Sequence, residues 1–416
     1  MTTPNRTLLL SIVNLEGGGA ERVVSNLTRG LDGWEVHLAL FENDIGYPYD
    51  GELHVLDIDV HADSAPGKLY ELGRGLVRMR RLKRRIAPDV SLSFLLWPNV
   101  LNILSSTGRS ERVLASVRNS RSDALLDTNG IIRATGYRML IEAVYNRADG
   151  IIAISEGVGR DLATNFGVAP AATRTIYNPV GVDAIRREAA RSVPGPFAEV
   201  FADPTVVTVG RFVDQKGQWH LIRAFRRTAE RLDDRARLVL LGKGPLKDYL
   251  LDLAEDLGLS TWHRRRDPPE AVGEARVVFA GFRDNPHSFM ERASLFAFPS
   301  ISEGLGNVLI EALACGTATV ASDCDYGPRE ILAPATDSRR RTRRAKQVEY
   351  GVLMPAPDGQ SYGADEPLTG VETTWADTMT TLLADPARRA TVADAGRRRA
   401  EDFRRDAIVD QWEATL

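Results

Sequence analysis

Short apolar runs alternate with longer amphipathic stretches along the first half of the chain. Leu8-Leu9-Leu10-Ser11-Ile12-Val13 reads as a buried strand, and Ala20 to Leu31 as the helix after it. Trp34 to Phe41, Val90 to Leu95, Val113 to Val117 and Ile151 to Ile154 continue as strands, with helical spacing between several of them. Continuous apolar runs of strand length, separated by helices, predict a parallel sheet covered on both faces. The alternation pauses at Tyr177-Asn178-Pro179-Val180 and restarts at Thr205 to Gly210. Strands are then predicted at Leu238 to Leu241, Val277 to Ala280, Leu295 to Phe298 and Ala318 to Ala321. Val193-Pro194-Gly195-Pro196 is a candidate linker.

This pattern gives an α/β chain of two Rossmann-like, doubly wound parallel-sheet domains. The divisions are 1–180, 181–396, and a C-terminal helical segment, 397–416, packing back on the first domain. Ligands are expected in a cleft faced by the carboxyl ends of the strands. Two segments read as inserted surface loops. Thr261 to Ala275 carries His263-Arg264-Arg265-Arg266 and Pro268-Pro269, and Ala333 to Gln347 carries six basic residues between Arg339 and Lys346.

Composition narrows the class. The chain has 416 residues, 43% of them hydrophobic and 26% charged, which excludes a disordered chain. A net charge of -3 argues against a nucleic-acid binder. Two cysteines, Cys315 and Cys324, make no disulfide framework. They read as buried residues in a reducing compartment. The longest apolar stretch, Ser91 to Leu104, is broken by Trp97-Pro98-Asn99 and falls short of a membrane span. The N-terminus lacks a secretory pattern. The expected location is cytoplasmic, with any membrane contact peripheral.

Three glycine-bearing loops follow predicted strands. Asn14-Leu15-Glu16-Gly17-Gly18-Gly19 opens a helix at Ala20-Glu21-Arg22. It suits either a phosphate or sugar oxygen at a helix N-terminus or simply a tight turn. Gly210-Arg211-Phe212 with Asp214-Gln215-Lys216-Gly217 places two cations after a strand, a pattern fit for a diphosphate or for a solvated loop. The strongest feature is Ser300-Ile301-Ser302-Glu303-Gly304-Leu305-Gly306-Asn307-Val308-Leu309-Ile310-Glu311-Ala312. Here Gly304 and Gly306 admit a ligand to the helix start. Glu311 can accept hydrogen bonds from a diol, and Glu303 can reach the other end of the same ligand.

With Asn178-Pro179, Gly242-Lys243-Gly244-Pro245, Phe279-Ala280-Gly281-Phe282 and Gly327-Pro328-Arg329-Glu330, these residues resemble the retaining glycosyltransferases of the GT-B fold, family 4. The resemblance runs from about Leu8 to Phe403. It implies that Arg211 and Lys216 hold the donor diphosphate and that Glu303 contacts the donor sugar. It assigns Glu311 to the ribose, and backbone at Leu305, Asn307 and Val308 to the diphosphate or sugar. Backbone near Phe282 would read the base, while Gly18 and Gly19 would approach the donor from the first domain. It also implies transfer of a hexose or N-acetylhexosamine from a nucleotide sugar, UDP-linked by preference, without a metal or other cofactor. Attack would be front-face, assisted by the leaving phosphate. The alternatives are a sugar-nucleotide epimerase of the same architecture and a non-catalytic nucleotide-sugar-binding partner.

The acceptor is expected to be a glycan, in particular one linked to polyprenyl diphosphate. The Asn14 to Arg22 block with Ser116-Val117-Arg118-Asn119 is similar to bacterial N-acetylgalactosamine transferases that extend undecaprenyl-diphosphate oligosaccharides. Arg118 and Asn119 would line the acceptor side. Arg74, Arg78, Arg81 and Arg85 fall on one helix face, opposite Leu69, Leu72, Leu76, Met79 and Ile86. Over roughly 16 Å this stripe is either a contact for anionic lipid or acceptor diphosphate or a solvated face. It sits in a neutral domain, since residues 1–180 hold 20 basic and 20 acidic residues. Two Asp-x-Asp spellings occur, Asp57-Ile58-Asp59 in an alternating strand and Asp323-Cys324-Asp325. A metal-dependent transferase would need such a pair, and neither is read as a metal site. His37, His54, His61, His220, His263 and His287 are scattered without metal spacing and read as structural or exposed.

Overall fold

The computed structural model describes residues 6–60, 64–106, 111–120, 131–193 and 195–416. The chain divides into two compact units, Met1–Pro179 with Arg405–Leu416, and Val180–Arg404. The crossings fall at Pro179/Val180 and Arg404/Arg405, so residues 397–404 stay with the second unit. Pro194 of the candidate linker, and His61, lie outside the described residues.

In the first unit, seven strands form one parallel sheet in the order β3-β2-β1-β4-β5-β6-β7. They are β1 Arg6–Ile12, β2 Trp34–Leu40, β3 Glu52–Val55, β4 Val90–Phe94, β5 Arg112–Val117, β6 Gly150–Ala153 and β7 Thr173–Thr175. The central strands β1 and β4 are largely apolar and buried, their only buried polar side chains being small serines, because helices cover both faces. The segment Arg405–Leu416 completes this core: Trp412 is fully buried, 5.7 Å from the Phe94 ring centroid. Arg112 donates to the Leu416 carbonyl at 3.3 Å.

The helix Ala65–Ile86 buries Met79 and Leu82 against Leu9, Phe41, Leu56, Ile58 and Leu101. Leu69, expected on this apolar face, is 73% exposed instead. Lys83 is fully buried and bonds Glu111 at 2.6 Å, Ser91 Oγ at 3.2 Å and the Asn102 carbonyl at 2.8 Å. Burial pushes its ammonium pKa down, opposed by the Glu111 carboxylate. Asp57-Ile58-Asp59 is not in a strand: β3 ends at Val55, and Asp57 adopts φ 49°.

The second unit holds eight strands in the order β10-β11-β9-β8-β12-β13-β15-β14. These are β8 Thr205–Val209, β9 Arg237–Leu241, β10 Thr261–His263, β11 Val277–Gly281, β12 Leu295–Phe298, β13 Thr319–Ser322, β14 Lys346–Val348 and β15 Gly351–Met354. All pairings are parallel except β14 with β15. Cys315 and Cys324 are free and buried, and burial pushes both thiols up, Cys324 to about 12.

The two segments expected as inserted surface loops are part of this architecture. Within 261–275, Trp262 is buried, stacks edge-on at 5.3 Å against Phe197, and donates to the Pro268 carbonyl at 2.9 Å. The run supplies β10 and a buried Val272 because its apolar residues face inward between the arginines. In 333–347, the Thr342 N–H donates to buried Asp323 at 2.6 Å, and the end of the segment enters β14.

Candidate active site

Strand order reverses at β8, which lies between β9 and β12. In an open α/β sheet, the loops leaving the two strands at such a reversal diverge and leave a crevice for a ligand. Here the loop after β8 carries Arg211 and Lys216, and the loop after β12 carries Glu303. They are tied together. The Ile301 N–H donates to the Gln215 carbonyl at 2.9 Å, and Gln215 Nε2 donates to the Ser302 carbonyl at 2.9 Å. Lys216 Nζ forms an ion pair with Glu303 Oε1. Ser300 Oγ donates to the same carboxylate oxygen at 2.7 Å, and the Glu303 N–H donates to the Asp325 carbonyl at 2.7 Å. Lys216 also lies 5.6 Å from the Phe298 ring centroid.

Close backbone packing sets this arrangement. Gly217 takes φ 60°, and a Cβ there would stand 2.6 Å from the Pro299 carbonyl oxygen. The loop after β9 packs equally tightly. A Cβ on Gly242 would stand 1.9 Å from the Gly210 oxygen, and the Phe212 N–H donates to the Lys243 carbonyl at 3.0 Å. Arg211 is exposed and has no ion-pair partner among the described residues. Its carbonyl accepts from Gln218 Nε2 at 2.9 Å. The loop after β11 presents Phe282, exposed, with Lys243 Nζ 5.4 Å from its ring centroid.

The helix Asn307–Cys315 begins at Gly306, φ 92°, with no side-chain cap. Phe298 packs so closely under Gly306 that a Cβ would meet it at 3.1 Å. Gly304, Asn307 and Val308 are half-buried, and Leu305 is buried. Glu311 faces His287, with Nε2 3.6 Å from Glu311 Oε2. The fold therefore brings Lys216 and Glu303 into contact, with Ser300, the first residue of the motif and one to which the sequence assigned no role, as a further partner. Asp323 and Asp325 are tied elsewhere: Asp323 pairs with Arg329, Nε to Oδ1 at 3.0 Å, and Asp325 pairs with Arg341.

In the first unit, Gly18 and Gly19 are exposed at the start of the helix Gly19–Thr28. The expected anion position there is taken by the chain itself. The Glu21 carboxylate folds back toward Gly18 and accepts the N–H groups of Ala20 and Glu21. Burial nonetheless raises its pKa. Arg118 is 7% exposed at the end of β5. It donates to Asn178 Oδ1 and to Ser116 Oγ, at 3.3 Å for the latter, while its Nε has no partner. Burial pushes this guanidinium down to about 9. Asn119 beside it is exposed.

The arginine stripe divides. Arg74 and Arg78 are half-buried and donate to the Asp57 carbonyl, and Arg78 also to that of Leu56. Arg85 reaches His54 Nδ1 at 3.0 Å, and Arg81 stays exposed. Helical spacing puts the four on one face, but the loop after β3 lies over its first half. Unlike the scattered reading, the fold also brings His37 and His54 together, Nδ1 to Nε2 at 3.0 Å. No local spacing could give this, because it arises from strand register.

The class defined by these loops agrees with comparison to known proteins. A family model described as Glycosyltransferase Family 4 matches residues 17–184, and one described as Glycosyl transferases group 1 matches residues 197–339. The chain is 31% identical over 324 residues to the N-acetylgalactosamine-N,N'-diacetylbacillosaminyl-diphospho-undecaprenol 4-alpha-N-acetylgalactosaminyltransferase of Campylobacter jejuni, covering 77% of this chain and 82% of that one. It is 29% identical to the alpha-maltose-1-phosphate synthase of Mycolicibacterium smegmatis, over 64% of this chain and 62% of that protein. Among solved structures, sucrose-phosphate synthase from Thermosynechococcus elongatus matches with a TM-score of 0.70 at 19% identity, covering 99% of this chain and 98% of that one. The Anabaena protein HepE, solved in complex with UDP, matches with a TM-score of 0.69 at 18% identity, covering 99% of each chain. The chain belongs to the glycosyltransferases, with the GT-B class of fold, and is a transferase enzyme.

Proposed function

We infer that the second unit binds a nucleotide sugar, UDP-linked by preference, and that the enzyme transfers its hexose or N-acetylhexosamine with retention to a polyprenyl-diphosphate-linked glycan. The observation that carries this reading is the Lys216–Glu303 pair at the reversal between β8 and β12. An ammonium has three donors, so Lys216 can hold Glu303 and still bond a diphosphate oxygen. Arg211, unpaired and exposed, supplies the second cation as a bidentate fork. Breaking the anomeric bond leaves negative charge on the diphosphate, and preorganised cations stabilise that charge without rearranging. Glu303, held by Ser300 and Lys216, accepts from the sugar hydroxyls, and Glu311 from the ribose. Backbone at Gly304, Leu305, Gly306, Asn307 and Val308 approaches the diphosphate, while Phe282 borders the base. In this mechanism no metal acts on the donor.

The Campylobacter relative acts on an undecaprenyl-diphosphate-linked acceptor by its name, which supports the same acceptor class here. Arg118 and Asn119 would line that acceptor, and Gly18 and Gly19 would receive sugar hydroxyls rather than phosphate, because Glu21 already fills the helix start. No described helix is long and apolar enough to cross a membrane. Contact with a lipid-borne acceptor would use the exposed face of Ala65–Ile86 at the cytoplasmic surface.

The test offers UDP- and GDP-sugars with and without a polyprenyl-diphosphate glycan, in excess EDTA at low temperature. Nucleotide release that requires the acceptor and persists in EDTA supports the reading. Sugar interconversion without acceptor would support the epimerase instead. Nucleotide-sugar binding without turnover would support a non-catalytic partner, and activity restored only by Mn²⁺ would overturn the metal-free mechanism.

A further inference from the structure

The edge of the first unit's sheet carries the same tripeptide pattern twice: Glu35-Val36-His37 on β2 and Glu52-Leu53-His54 on β3. Residues two apart on a strand share a face. The parallel register sets Glu52 opposite His37 and His54 opposite Ala39, so both pairs gather on one face. Both histidines are buried, and their rings stack at 5.3 Å. His37 Nδ1 and His54 Nε2 face each other at 3.0 Å. The Glu52 carboxylate spans them, Oε2 at 3.5 Å from His37 Nδ1 and Oε1 at 3.7 Å from His54 Nε2.

We propose that His37, His54 and Glu52 form a binding site for a divalent transition-metal ion of the zinc class. Zinc bonds of about 2.0–2.1 Å to nitrogen or oxygen in a tetrahedron give ligand-to-ligand edges of roughly 3.3 Å. The His37 Nδ1 to His54 Nε2 edge is 3.0 Å, each of these nitrogens lies 3.5 and 3.7 Å from its nearer Glu52 oxygen, and with one donor atom taken from each residue all three lie within 4.8 Å of one another, close enough for one ion to gather them with a turn of the exposed carboxylate. Two imidazoles and a carboxylate are a donor set for zinc or its neighbours rather than for magnesium or calcium. Water would complete the fourth position. Glu35 Oε1 lies 3.5 Å from His37 Nε2, the other ring nitrogen. A carboxylate there fixes the tautomer that leaves Nδ1 free to bind metal. Among the described residues, no other group of three such side chains converges in this way.

One contact opposes the metal. Arg85 Nη2 lies 3.0 Å from His54 Nδ1 and donates to it. With metal on Nε2, Nδ1 carries the hydrogen, so the guanidinium must turn away. Arg85 is exposed on its helix, and the move is a change of rotamer into solvent. The proposal thus gives Arg85 a definite sign: it weakens metal binding.

The experiment uses the full chain without an affinity tag, stripped with chelator and titrated with Zn²⁺ by calorimetry. Co²⁺ is the optical probe, and circular dichroism checks each variant's fold. One equivalent of Zn²⁺, a rise in melting temperature and four-coordinate Co²⁺ absorption are expected. Glu35→Gln should weaken binding about 10- to 100-fold, the scale for a partner that orients a ligand. Glu52→Gln should weaken it further, and Arg85→Gln should tighten it. Absence of stoichiometric binding would overturn the proposal and leave a plain hydrogen-bonded histidine pair. Equal affinity in Glu52→Gln and in folded His54→Asn would overturn it by placing the ion elsewhere, and weaker binding in Arg85→Gln would overturn the geometry.

Discussion

Lys216 and Glu303, 87 positions apart in the chain, meet as an ion pair because the loops after β8 and β12 leave neighbouring strands at the point where the sheet order reverses. Each therefore sets the position of the other. Lys216→Ala is expected to lower turnover by a factor of the order of 10²–10³, the scale for losing one charge-stabilising donor. Residues in direct contact couple. The Lys216→Ala, Glu303→Gln double variant should accordingly lose less than the product of the two single losses, measured as acceptor-dependent nucleotide release.

Gly242 tests whether the loop carrying Arg211 must lie where it does. Its missing Cβ leaves room for the Gly210 oxygen, which an alanine methyl would meet at 1.9 Å. Gly242→Ala should displace the loop while the core of the unit stays folded. Misplacing a catalytic group by about 1 Å can cost about 10²-fold, so kcat/KM for the donor should fall on that order. Steady-state kinetics with donor varied checks it.

Arg118 is a buried cation without a carboxylate partner among the described residues, and its guanidinium is pushed down to about 9. The unfolded chain binds that proton more tightly. Below about pH 9 both states are protonated, and the burial penalty is present in full. From about pH 9 up to the ordinary arginine range the unfolded state holds more protons, so wild-type stability rises with pH. Arg118→Met should raise the melting temperature at pH 7 by a few degrees, roughly 2–4 °C per kcal/mol for a unit this size. The advantage should shrink above pH 9. The same variant should raise the acceptor KM, because an anionic acceptor is what would repay the buried charge. Melting curves across pH, with acceptor kinetics beside them, check both.

The helix Ala65–Ile86 separates two kinds of arginine. Arg80, Arg81 and Arg84 are exposed, as are Tyr70 and Val77 on the same helix. Their joint replacement by glutamine should weaken binding to anionic vesicles, more at low salt. Arg78→Gln should instead lower thermal stability, since its donors serve the Leu56 and Asp57 carbonyls. Vesicle sedimentation and thermal unfolding distinguish the two.

The strands buried on both faces were legible in the sequence because apolar residues dominate them, with only small serines in β4 and one arginine at the start of β9: β4, β9, β11 and β12 fall within one residue of the expected limits at either end. The half-exposed edge strands β3 and β7 carry no such run and were missed. The segment 261–275 was misread because its arginines and prolines outweigh the one tryptophan that anchors it. The loops after β8 and β12 were legible because their residues lie within a few positions of each other and of a glycine. Ser300 as partner of Glu303, Glu21 at its own helix start and the His37–His54 pair were not. Each depends on where a side chain folds back or on how two strands align, which residue spacing does not encode.

Trp412 closes the core around Phe94 from a segment made only after all of the second unit. During synthesis the first 179 residues must therefore wait, with that apolar surface uncovered, while a complete and independent sheet forms downstream. The first unit becomes whole only once the second has left the ribosome, so a chain cut short in its last helix would carry a finished second unit attached to an open first one.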